Sequence, residues 1–267
     1  MTALKRISSW MIQRAKVSEA RSAIDVGWLI DAEEAGLIYS APERLDAGLA
    51  ENLHPKSAAR CPAVIDLEAR QFVIPCPYDI TLRLSTQPDG NVTVSDADGD
   101  RSAVRSGVLP RILTIVKASE WRHPTRPIIQ MAAPYRFISD EPVYLSQFPP
   151  FLSYAASTRP GVMLAGRMPI HIWPRILSFA FEWHDASKPL VLRRGEPWFY
   201  VQFEGEDPSR RVRLLEAEMT VPLQHYIRGM TGVVGYVRRT APLFRVAASR
   251  RPDRLLTPRV SSRAAHS

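Results

Sequence analysis

Residues 159–203 read RPGVMLAGRMPIHIWPRILSFAFEWHDASKPLVLRRGEPWFYVQF, and this stretch decides the fold class. It breaks into short apolar runs: GVMLAGRMPIHIW (161–173), ILSFAFEW (176–183), PLVLRR (189–194) and PWFYVQFE (197–204). Each is bounded by Pro, Gly, Asp or Ser and enriched in branched and aromatic residues, which is the pattern of strands between turns. In the last run, alternation puts Trp198, Tyr200 and Gln202 on one face and Phe199, Val201 and Phe203 on the other. Both faces are largely apolar, as in a strand buried inside a core. Gly195-Glu196-Pro197 reads as the preceding turn, with glycine free to take positive φ and proline opening a strand where no donor is needed. Glu196 stands out, because a turn does not require a carboxylate. Its oxygens either accept backbone donors across the turn or face a pocket.

The same texture extends outward from that stretch. Upstream lie VIDLEARQFVIP (64–75) and YDITLRLS (78–85), the latter alternating Ile80, Leu82 and Leu84. PDGN (88–91) has turn chemistry, and VTVSDADGDRS follows as a strand running into a polar loop. RILTIVKA (111–118), RPIIQMAAPYRFIS (126–139) and VYLSQ (143–147) continue the run until FPPF (148–151) interrupts it. VRLLEAEM (212–219) closes it. Strands separated by turns every ~8–12 residues point to a sandwich or barrel. The count of 23 prolines against 13 glycines agrees, since proline is expelled from helix interiors and central strands. The expected fold is mainly β: a jelly-roll-like antiparallel β-sandwich body over residues 62–219, with helical segments near both termini.

The ends are read differently. Within an N-terminal helical segment (1–61), Ala23, Ile24, Val26, Trp28, Leu29, Ile30 and Ala35 recur near helical spacing. Pro42 precedes a shorter helical candidate at Glu43–Leu53. Leu4, Ile7, Trp10, Met11 and Val17 share one helical face, and no secretory signal is expected because the opening lacks an apolar h-region and a cleavage site. A C-terminal helix is expected over 220–237, capped by Thr220 with Pro222 in its first turn. Residues 238–267 read as a basic, flexible tail, too poor in apolar residues to offset their ordering entropy.

Three short motifs within 159–203 resemble an uncharacterised group of phage and bacterial proteins: Arg159-Pro160-Gly161, Trp173-Pro174 and Gly195-Glu196-Pro197. The resemblance covers about a sixth of the chain. It implies a jelly-roll-like β-sandwich and supplies no activity.

The net charge of +8 belongs to the ends. Residues 1–18 carry Lys5, Arg6, Arg14 and Lys16 and no acid. Residues 238–267 carry eight arginines against Asp253, which leaves the body between them slightly acidic. Arg238, Arg239, Arg245, Arg250, Arg251 and Arg254 are therefore the expected partner contacts, because a guanidinium fork suits carboxylates and phosphates. A protein partner or larger assembly is expected, with non-specific contact to nucleic acid or an anionic surface through the tail. No run approaches the ~20 apolar residues of a membrane span. Cys61 and Cys76 are too few for a disulfide framework, and are expected as buried free thiols or a single bridge closing the loop between them. The expected location is cytoplasmic or virion-associated.

The chain carries six histidines. A jelly-roll metal enzyme needs two histidines and a carboxylate converging from separate strands. Here the candidates are His171, Glu182 and His184, with Glu196 as a possible catalytic carboxylate. No Gly-x-Ser-x-Gly elbow, phosphate loop or Gly-x-Gly-x-x-Gly run occurs. Asp96, Asp98 and Asp100 imitate the start of a calcium loop that lacks its closing glutamate. No cofactor and no metal site are expected. The balance favours a non-enzymatic binding or assembly protein, an accessory subunit or phage-type structural component with basic terminal arms. The alternative is a cupin-like, metal-dependent jelly-roll enzyme.

Overall fold

The computed structural model describes residues 23–31, 38–45, 54, 56–88, 90–99, 102, 104, 107–234 and 240–259. Strands dominate, in three sheets. The first runs in the order β14 (Val212–Glu216), β1 (Ile24–Ile30), β7 (Ile128–Ile138), β11 (Ile176–Trp183), β9 (Gly161–Met163), with β6 (Leu113–Ile115) also paired to β7. The second runs β10 (Gly166–Pro169), β8 (Val143–Phe148), β13 (Pro197–Gly205), β3 (Gln71–Pro75), β2 (Glu43–Arg44). The third, smaller sheet is β12 (Leu190–Leu192), β4 (Ile80–Thr86), β5 (Val92–Asp96). Neighbours are antiparallel except β1 and β14, which are parallel. This is the mainly β, sandwich-like fold that the spacing of turns predicts. No helix among the described residues is long and apolar enough to cross a membrane.

The core lies where the inner faces of the sheets meet. Along β7, Ile129, Met131, Ala133, Tyr135 and Phe137 point into it at strand period. Phe179 is stacked between Phe181 (5.8 Å) and Trp198 (5.4 Å), and Tyr78 meets Trp198 edge-on at 5.4 Å. A register shift between Pro197 and Phe199 alters the simple alternation of β13. Trp198 thereby joins Phe199 and Val201 in the main core, while Tyr200 packs outside against Phe151 at 5.3 Å.

A second apolar layer covers the outer face of the first sheet. β1 divides its side chains between the two: Ile24 and Val26 belong to the main core, Leu29 to the outer layer. That layer is built by α2 (Val221–Val234) and α3 (Thr240–Arg250), with α1 (Pro62–Ala69) lying elsewhere on the surface. Thr220 Oγ1 accepts from Leu223 N at 3.3 Å, and Leu223, Tyr226 and Met230 recur at helical spacing on the buried face of α2. Leu243 and Ala247 meet them from α3. The chain then turns back, burying Leu255 and Leu256 and pairing Pro258 with Ala217. Gly27 makes room for this return, because a Cβ there would lie 2.3 Å from Leu256 Cδ1.

Several expectations are corrected. Residues 24–30 form a strand, not part of a helix: IDVGWLI is apolar on both faces, and a short run of that kind carries no period to separate strand from helix. Glu43–Arg44 is likewise a strand, while residues 1–22 and 46–53 lie outside the described residues. The sheets thus recruit strands from before residue 62. VIDLEARQFVIP begins as helix α1 and becomes strand only at Gln71.

The expectation of a flexible tail fails over 240–259, where helix α3 and the returning segment are folded onto the body. Composition missed this because few apolar residues suffice when each one is buried. Arg251 supplies the rest, donating to His171 O (2.6 Å), Asp140 O (2.9 Å) and Pro252 O (3.1 Å). Asp140 Oδ1 in turn accepts from Leu255 N at 2.6 Å and Leu256 N at 3.2 Å.

Candidate functional site

Of the four residues proposed for catalysis, Glu182 and His184 are brought together, and His171 does not join them in a group of three. His171 sits in the turn after β10, its Nδ1 3.2 Å from Val143 N and 3.0 Å from Val143 O. Glu182 is buried near the far end of β11, six residues beyond Ile176, or about 20 Å of extended chain. Its Oε1 lies 2.8 Å from His184 Nε2 and 3.9 Å from Arg126 Nη1. These contacts satisfy the buried carboxylate locally. The charge of Glu196 acts on Arg159 and Cys76. Among the described residues no three His, Cys, Asp or Glu side chains converge to hold a metal ion. The metal centre on His171, Glu182 and His184 is therefore corrected on geometry. Asp96 Oδ1 accepts from Asp98 N at 2.9 Å, so the acidic loop begins as a local turn.

Both thiols are free. Cys61 is exposed, against the expectation of burial, and Cys76 is buried. Burial pushes the Cys76 thiol up to about 12, so it stays protonated and is a poor nucleophile at neutral pH.

The structure does join the motifs of residues 159–203. Arg159 reaches from the Arg-Pro-Gly turn to donate to Trp198 O (3.2 Å) and Pro197 O (3.1 Å), with its guanidinium 5.7 Å from the Phe179 ring centre. Burial lowers the pKa of this arginine, and the nearby Cys76 and Glu196 act in the opposite direction. Gly161 cannot carry a side chain, since a Cβ there would meet Glu182 O at 2.1 Å. The Trp-Pro corner serves the outer layer: Trp173 meets Phe244 of α3 edge-on at 5.3 Å, and Arg136 donates to Pro174 O. The motifs are joints of the fold.

Of the expected tail contacts, Arg251 is the clamp described above, and Arg254 Nε donates to Leu256 O at 2.9 Å. Arg245 and Arg250 are exposed on α3, and Arg238 and Arg239 lie outside the described residues.

Two surfaces escape the sequence reading. One is a ridge after β8, where Phe151, Leu152 and Tyr154 are 50, 43 and 92 % exposed. It stands beside Val162 of the edge strand β9, and a shallow groove of about 260 Å³ runs between them, walled by Pro149, Phe151, Arg159, Val162 and Met163. A signal for it was available: residues 148–158, FPPFLSYAAST, contain no charge. The other is an arginine-lined cavity between α1, β2 and the start of β14. Arg210 and Arg211 are adjacent in sequence, but Arg44 and Arg70 are far from them, so no single run announces the site.

No known family model, curated protein or solved structure matches the chain.

Proposed function

We propose that this chain is a non-enzymatic binding or assembly protein that meets a protein partner through the Phe151–Tyr154 ridge. The observation that carries this reading is the nearly complete exposure of Tyr154 beside half-exposed Phe151, Leu152 and Val162. Contiguous exposed apolar surface marks interaction sites. Interface centres are depleted of charge and enriched in aromatic residues, as residues 148–158 are. The absence of any cation from this run favours an apolar protein surface over nucleic acid or anionic lipid. Arg245 and Arg250, exposed on α3, offer a secondary, salt-sensitive contact.

The test places a photocrosslinking residue at position 154, and separately at the exposed Val191 of β12, in the full chain expressed in its native cell. One defined protein adduct from position 154, absent from position 191 and abolished by Leu152→Asp, is the expected outcome. No adduct at 154, or the same adducts from both positions, overturns the reading.

A further inference from the structure

We propose that the arginine-lined cavity is a binding site for the phosphate group of a small phosphorylated molecule. The inference is independent of the ridge and uses different residues. The cavity holds about 210 Å³, and its wall contains Arg44, Arg70, Arg210 and Arg211 against the single carboxylate Asp66. Phe72 and Phe203 close the apolar side.

The four guanidiniums come from three segments, β2, the end of α1 and the adjacent pair before β14, and are not equally committed. Arg44 on β2 donates to Ala69 O (2.7 Å) and Val212 O (3.1 Å), with its guanidinium 5.0 Å from the Phe72 ring centre. It has spent two of its five N–H donors on carbonyls and none on a carboxylate. Arg70 is shared between Asp66 (3.0 Å) and Pro208 O (2.9 Å). Arg210 holds Glu141 and Ala23 O. Arg211 is exposed and has no carboxylate partner among the described residues. Two arginines are thus fixed as walls, while Arg44 and Arg211 retain uncompensated charge.

Fixed guanidiniums arriving from several directions suit a phosphate, whose three free oxygens each accept, better than a carboxylate satisfied by one fork. The volume decides the size of ligand. At about 210 Å³ the cavity falls below the ~300–1,000 Å³ of sites that enclose a drug-sized molecule, so it takes a head group. Arg70, Phe203 and Arg210 also line a neighbouring groove of about 710 Å³, where Arg167 covers the Tyr144 ring at 3.9 Å. The remainder of a small ester would lie there.

Calorimetric titration of the full chain with inorganic phosphate, with ribose 5-phosphate and with ribose tests the proposal. Phosphate and the ester should bind, the ester about tenfold tighter, and ribose should not. Arg211→Glu and Arg44→Gln should each weaken the ester at least tenfold. Because Arg44 also bonds the fold, Arg211→Glu is the deciding variant, and its melting temperature should match that of the parent chain. Ester binding unchanged by Arg211→Glu, or no binding of either phosphate, overturns the proposal. So does binding confined to a phosphate-bearing oligonucleotide with steep salt dependence, which would make the surface a nucleic-acid contact.

Discussion

The interior between the sheets and the layer outside the first sheet are both apolar, yet they are held in different ways. The interior is a continuous aromatic cluster in which Trp198, Phe199, Phe179, Phe181 and Trp183 are essentially inaccessible. Each of its strands is also fixed by a ladder. The outer layer rests on few side chains, chiefly Leu223, Tyr226, Leu243, Ala247, Leu255 and Leu256. Arg251 and Asp140 fasten it to the turns beside the sheet, and backbone bonds to Glu216 and Glu218 fasten its last residues. The contrast teaches that an arginine-rich segment need not be free: when its guanidinium finds backbone carbonyls, charge becomes a fastener.

The sharpest way to break the comparison is at its strong end. Trp198→Ala should cost ~3–5 kcal/mol, the range for a large core ring, and abolish cooperative melting near ambient temperature if the margin is small. A loss below ~1 kcal/mol in denaturant titration would place the ring outside the core.

Gly27→Val attacks the seam between the regions. The new side chain must displace Leu256, and overpacking of this kind costs ~1–3 kcal/mol. Limited proteolysis should then cut within 250–259 while the near-UV spectrum of the buried aromatics is retained. Simultaneous loss of both signals would show that the two regions unfold as one.

Arg251→Met removes the fastener without removing the helix. Leaving His171 O and Asp140 O without their donor should cost ~1–3 kcal/mol and raise hydrogen exchange in 251–259 before any change in β7. Unaltered exchange there would mean that Asp140, the bridge to Ala217 and the burial of Leu255 and Leu256 hold the segment without Arg251.

The smallest effect is expected from alkali. Burial pushes Tyr226 up to about 12, above the ~10 of a free tyrosine. The folded state keeps a proton that the unfolded chain gives up, so this contribution is complete below pH 10 and is lost as pH rises toward 12. Tyr78 and Tyr135 of the interior are pushed further in the same direction by burial. All three lose stability alike above about pH 10, so the outer layer, which rests on fewer buried side chains, should loosen first, seen as exposure of Trp173 fluorescence to quencher. Simultaneous loosening of both regions would remove the distinction.

How much of this was legible follows the same divide. Alternation in YDITLRLS marked a strand correctly because one face is set by the core, and Pro197–Gly205, buried on both faces, was marked by the turn at Gly195 before it. Ile24–Ile30 misled because it is buried on both sides, by the interior and by Leu256. The segment after Arg238 misled for the opposite reason: its anchoring depends on carbonyls of Ser139, Asp140 and His171, which no property of the segment itself reveals. The candidate surfaces were least legible. Four arginines at 44, 70, 210 and 211 become neighbours only when β2, α1 and β14 are in place.

The parallel pairing of β1 with β14 sets an order of events during synthesis. Ile24 pairs with Val212 and Trp28 with Glu216, while the antiparallel partner β7 supplies Ile138 opposite Gly27. A nascent chain elongating at ~5–20 residues per second must carry β1 with its β14 edge unpaired for roughly 10–40 s before that partner emerges. Contacts so distant along the chain make folding slow, and the exposed IDVGWLI segment is meanwhile open to pairing with its like on neighbouring ribosomes. Burial of both its faces, which stabilises the finished molecule, is what makes this strand dependent on early protection.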